Sequence, residues 1–127
     1  MEQKTKINSH KDLVVWQKAM DLVVDVYDLS DKYPKEELYG LTSQTRRAAV
    51  SIPSNIAEGR CRGTRKEYRQ FLLVSFASCA ELETQIEIAK RLAKTKNLSY
   101  KKVDDLLIEV SKMLNAMVGK LDVIPST

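Results

Sequence analysis

Four long runs of helical apolar periodicity, separated by breaks of a few residues, constrain this chain more than any other feature. The last run, residues 99–121, is the simplest. Val103, Leu106, Leu107, Val110, Met113, Leu114, Met117 and Leu121 recur at three- and four-residue intervals and make one stripe. Lys102, Asp105, Glu109 and Lys112 lie away from it. The first run, residues 12–30, differs. Leu13, Val14, Val15, Trp16, Ala19, Met20, Leu22, Val23, Val24, Val26, Tyr27 and Leu29 cover most of its circumference. A helix that is apolar on several sides must be covered on several sides. The third run, residues 64–94, contains FLLVSFASCA at 71–80, nearly all apolar or small, and carries the same implication.

The second run, residues 36–59, begins with Glu36 and Glu37, which suit the positive end of a helix dipole. Leu41, Ala48, Ile52 and Ile56 share one face. Gln44, Arg47, Ser51, Asn55 and Glu58 share a neighbouring, polar face. Pro53 has no N–H and crowds the carbonyl of Ala49, so the spacing predicts a kink there. The breaks carry their own signals. Lys32-Tyr33-Pro34 ends the first helix, Thr64 and Glu67 form a capping box before the third, and Ser99 is a candidate N-cap of the fourth. Pro125 marks the tail.

These readings give an all-α chain of one domain, residues 1–127, with its core in about residues 10–122. Four glycines and three prolines disfavour a turn-rich β fold. Short connections favour antiparallel neighbours, so the expected fold is an up-down-up-down four-helix bundle with its second helix kinked at Pro53. Helices one and three carry more apolar surface than one bundle core covers. Exposed patches of that size are rare on monomers, so a homo-oligomer is expected.

Several function classes fall away. No stretch approaches the ~20 apolar residues of a membrane span, and the N-terminus has no apolar segment of a secretory signal. Cys61 and Cys79 make neither a disulfide framework nor a zinc-ligand spacing. A cytoplasmic location follows as the default. His10 is the single histidine, so no Ser–His or Cys–His pair is supported. Gly59 and Gly63 are not followed by the Gly-Lys-Ser/Thr of a phosphate loop. The expectation is a non-enzyme with no catalytic residues, no metal and no cofactor.

Charge is the remaining signal. Net charge is +4, but it is unevenly placed. Arg60, Arg62, Arg65, Lys66 and Arg69 stand with one acid, Glu67, in the loop before the third helix and its first turns. Lys90, Arg91, Lys94, Lys96, Lys101 and Lys102 stand with none. Arginine forks match phosphate oxygens, and a helix start adds free N–H groups. The first cluster is therefore the candidate nucleic-acid site, with solvated loop charge paired to Glu58 and Glu67 as the alternative. In an up-down bundle it shares an end with Lys4, Lys6, Lys11 and Lys120. The second cluster is more simply a complement to a helix C-terminus, partly neutralised by Asp28, Asp31, Glu36 and Glu37. Its functional alternative is a second phosphate contact or an acidic protein partner. The polar row of the second helix reads as structural, with Arg47 placed to meet Glu81 or Glu83 and fix helix or subunit register.

LVVWQKA at 13–19, YGLTSQTRRAAVSIPSNIAEG at 39–59 and FLLVSFASCAELET at 71–84 resemble a known family. It is the bacterial four-helix-bundle family first noticed in intervening sequences of 23S ribosomal RNA genes, also labelled S23 ribosomal proteins. The resemblance covers about residues 10–122. It implies an antiparallel bundle assembled as a homopentamer, without enzymatic activity. A more distant resemblance is to the accessory protein of diversity-generating retroelements, which partners a reverse transcriptase and its RNA. The chain departs from the pattern at Arg60-Cys61, where an aromatic residue and a glycine are usual, and at Ala77-Ser78-Cys79, where Arg-Gly-Ser is common. The expected function is an oligomeric, nucleic-acid-binding or scaffold protein that holds RNA or DNA phosphates. The alternative is a protein-interaction subunit, for example of a reverse transcriptase complex.

Overall fold

The computed structural model describes residues 9–122. Lys4, Lys6 and Pro125 lie outside the described residues. Among those described there are four α-helices and no strand: α1 Val14–Ser30, α2 Ser43–Cys61, α3 Arg65–Arg91 and α4 Lys101–Asp122. Helices α1 and α3 each pack on both α2 and α4. All four enclose one core. Ala19, Leu22 and Val26 meet Ala49, Ile52, Ile56, Leu72, Leu82, Val110 and Leu114 there, all fully buried.

The single stripe of α4 turns inward, with Val118 joining Val103, Leu107, Val110 and Leu114. The broad apolar surface of α1 divides. Val15, Ala19, Leu22, Val26 and Leu29 enter the core, while Val14, Met20, Val24 and Tyr27 remain exposed. Ion pairs join α1 to α4: Lys18 meets Glu109 at 2.9 Å and Asp25 meets Lys102 at 3.3 Å. No described helix is long and apolar enough to cross a membrane.

The entry to α2 differs from expectation. A 3-10 turn, Lys35–Glu37, leads into a wide π turn, Leu38–Thr42, and regular helix begins only at Ser43. Gly40 leaves helical geometry, and the Glu37 carboxylate accepts the Leu41 N–H at 3.3 Å. The turn thus acquires its own cap. Beyond it, α2 continues through the buried Pro53 to Cys61.

Helices α2 and α3 come together through small side chains. The Ser51 and Ser78 hydroxyls are 2.8 Å apart, and Ser75 donates to the Ile52 carbonyl at 2.9 Å. Gly63, at φ +93°, makes the left-handed turn between the helices. The capping box is present in altered form. Thr64 accepts the Glu67 N–H at 3.1 Å, and its hydroxyl donates to the Glu67 carboxylate at 3.0 Å. At the far end, buried Thr95 donates to the Ala89 carbonyl, and Tyr100 donates to the Thr95 carbonyl at 2.8 Å. Tyr100, not Ser99, directly precedes α4, and its carbonyl accepts the Asp104 N–H. Burial, and then the adjacent Tyr100, push the Tyr33 phenol above its usual value.

Gly59 tests how tight the α2–α3 contact is. A Cβ there would meet the Phe71 Cβ at 2.7 Å. Replacing a helical glycine with alanine gains about 1 kcal/mol of helix propensity, whereas overpacking costs about 1–3 kcal/mol. The obstacle is a Cβ fixed to backbone, so the clash wins. Gly59→Ala is expected to lower stability by up to about 2 kcal/mol in urea unfolding, whereas an exposed helical glycine would gain.

Candidate nucleic-acid interface

The end of α2, the start of α3 and the end of α4 meet, and this gathers the first basic cluster. Arg65 donates from Nε to the Leu121 carbonyl at 3.2 Å and from Nη2 to the Lys120 carbonyl at 2.9 Å. Arg69 donates from Nε to the Val118 carbonyl at 3.3 Å and pairs with Asp122 at 3.3 Å. The last carbonyls of a helix lack intrahelical partners, and cations there complement its dipole. Two arginines expected to face phosphate therefore also close α4. Arg62 pairs with Glu58 at 3.1 Å and lies over the Phe71 ring. Lys66 is exposed, and Arg60 is half-buried near Tyr68, whose phenol burial pushes up against the opposing Arg60 charge. Lys11 belongs to the short turn that packs against α2.

The second cluster is paired with carboxylates. Lys90 meets Asp104 at 2.6 Å, Arg91 meets Glu87 at 3.4 Å, Lys101 meets Asp105 at 2.8 Å, and Lys102 meets Asp25. Lys94 binds Glu36 and holds that carboxyl below its usual range. Lys96 is exposed. Of the four acids expected to neutralise this end, Glu36 does so, while Asp31 turns to Arg46.

The polar row of α2 splits. Asn55 donates to the Ser51 carbonyl and hydroxyl, Ser51 meets Ser78, and Glu58 holds Arg62. Gln44, Arg47 and Glu81 are exposed. Among the described residues, Arg47 forms no ion pair with Glu81 or Glu83. Sequence reasoning missed Arg46. It donates to the Ser30 hydroxyl at 2.8 Å, reaches the Tyr27 carbonyl, and stacks on the Tyr27 ring at 4.5 Å. It closes the end of α1 much as Arg65 and Arg69 close α4. Nothing in the local sequence separates it from Arg47.

The model of the 23S rRNA-intervening sequence protein family matches residues 11–116. The chain belongs to that family. A crystal structure from Bacteroides thetaiotaomicron, of a protein with unknown function from the S23 ribosomal protein family, has the same fold. It matches with a TM-score of 0.71 at 20% identity, over 83% of this chain and 98% of that chain. No curated protein sequence matches. Within this intervening-sequence family fold, the two cysteines differ. Cys61 is exposed, whereas Cys79 is buried and its thiol is pushed up by that burial, opposed by a hydrogen bond from Ser111.

Two outcomes follow from this geometry. Removing the α4 caps with Arg65→Ala/Arg69→Ala is expected to cost about 1 kcal/mol and speed hydrogen exchange in the last turn of α4, whereas Lys66→Ala stays within about 0.5 kcal/mol. At neutral pH, a thiol reagent is expected to modify Cys61 in the native protein and Cys79 only after unfolding.

Proposed function

We propose that this chain is a non-enzymatic nucleic-acid-binding scaffold that works as a homo-oligomer. The observation that carries this reading is the gathering of Arg60, Arg62, Arg65, Lys66, Arg69 and Lys120 around Glu58, Glu67 and Asp122 at one end of the helices. Backbone carbonyls orient a guanidinium without cancelling its charge, and its remaining N–H donors suit phosphate. Such a surface holds RNA or DNA through the backbone and does not read bases. In the same reading the bundle is antiparallel, up-down-up-down and kinked at Pro53. The opposed Lys18–Glu109 and Lys102–Asp25 pairs support the direction, and the missing N–H of Pro53 supports the kink. The family resemblance implies an assembly of five copies, and the reading adopts it. Repeated weak sites on one assembly add avidity where the nucleic acid spans them.

Arg62 and Lys66 are the residues to test, because neither caps α4. Binding of nuclease-treated protein to structured RNA and duplex DNA is measured across a salt series. Wild type is expected to bind with a steep log–log slope, since each neutralised duplex phosphate contributes close to one unit. Arg62→Glu/Lys66→Glu is expected to reduce that slope by about two units and to weaken binding at least tenfold at low salt. Equal binding by a folded double variant would overturn the assignment. No binding by wild type would leave the protein-interaction subunit.

A further inference from the structure

Two adjoining grooves run along the outer side of α1 and α2 and share Val50. The larger, of about 600 Å³, is lined by Tyr27, Leu38, Tyr39, Arg46 and Arg47, among others. The smaller, of about 380 Å³, is lined by Trp16, Met20, Val23, Pro53 and Ala57. On α2 the floor is made of Ser43, Val50, Ser54 and Ala57, whose short side chains let another backbone approach closely. Tyr39 is 93% exposed and Leu38 47%. Leaving such apolar area in water forgoes roughly 25 cal/mol per Å². Arg46 holds the Tyr27 ring in place. Arg47 lines the groove and is exposed, with no ion pair among the described residues.

The same chain carries a ridge of matching length and opposite charge. Val74, Ala77, Glu81, Thr84 and Ile88 follow one helical stripe on α3, and all are exposed. The Thr84 hydroxyl donates back to the Ala80 carbonyl at 2.9 Å, so it is satisfied within its own helix. Glu81 is the stripe's charged member and has no ion pair among the described residues. Groove floor and ridge each span fourteen residue steps, or about 21 Å at 1.5 Å per residue.

We infer that the α1–α2 groove of one copy receives the α3 ridge of a second copy, with Arg47 facing the second copy's Glu81. An apolar groove holding an unmatched guanidinium fits an apolar ridge holding an unmatched carboxylate. It fits a nucleic-acid strand less well, because its walls are mainly apolar. Groove and ridge are different surfaces, so each copy gives one and receives one. Such a heterologous contact repeats until it closes into a ring or runs on as a filament. The inference rests on the self-assembly in the reading above and is independent of its nucleic-acid part. An in-chain pair is the rival arrangement. Arg47 lies one turn before Ser51 and Glu81 about one turn after Ser78, and those two serines touch.

The test is oligomeric state by light scattering and sedimentation, with circular dichroism to confirm folding. Wild type is expected to assemble. Arg47→Glu and Glu81→Lys alone are expected to remain helical monomers, and the double variant Arg47→Glu/Glu81→Lys is expected to assemble again. Tyr39→Ala, outside the core, is expected to weaken association at least tenfold without any change of charge. Monomeric wild type, single variants that assemble like wild type, or a double variant that stays monomeric would each overturn the inference. The in-chain rival predicts the second of these. Nucleic-acid affinity is read on the same samples, so failure of either claim is seen separately.

Discussion

One methyl group added at Gly59 would lie 2.7 Å from the Cβ of Phe71, and much of the structure follows from that closeness. With Gly59, Ser51, Ser75 and Ser78 at the seam, hydroxyl and backbone contacts bring α2 and α3 close together. The connection between them is correspondingly short, and Gly63 supplies the positive φ that turns it. Because α3 starts so soon, Arg65 and Arg69 emerge level with the last turn of α4. A bulkier seam would move the start of α3 and carry the basic cluster away from that end.

The two basic clusters look alike as counts of charge, yet they are held in different ways. At the α2–α3 end, Arg65 is oriented by carbonyls and Arg69 by a carbonyl and one carboxylate. At the opposite end, Lys90, Arg91, Lys94, Lys101 and Lys102 each face a carboxylate. Exposed ion pairs of this kind add little stability, but they do cancel local charge. The proposed interface sits at the α2–α3 end because backbone carbonyls orient Arg65 and Arg69 without cancelling their charge.

What could be read from the sequence was what depends on local periodicity. The stripe of α4 turned inward almost as spaced, and Thr64 capped α3. The start of α2 was misplaced because Glu36 and Glu37 look like a first helical turn, whereas Gly40 lets the chain leave helical geometry before Ser43. The tertiary duties of arginines were not legible. Arg65 and Arg69 read only as phosphate ligands, because their further duty of capping the end of α4, more than fifty residues later, is invisible to a local pattern. Arg46 and Arg47 are adjacent in sequence, yet one closes α1 and the other lines an open groove. The excess apolar surface of α1 was legible, and the structure locates its exposed part at Val14, Met20, Val24 and Tyr27.

Two surfaces organise this account, a cationic end and an apolar side. The most direct check of the account is a hydrogen-exchange footprint of the assembled protein with and without structured RNA. The account predicts slowed exchange confined to residues 60–69 and the last turn of α4, fading as salt is raised. Protection centred on residues 90–102, or none at a saturating RNA concentration in low salt, would contradict it.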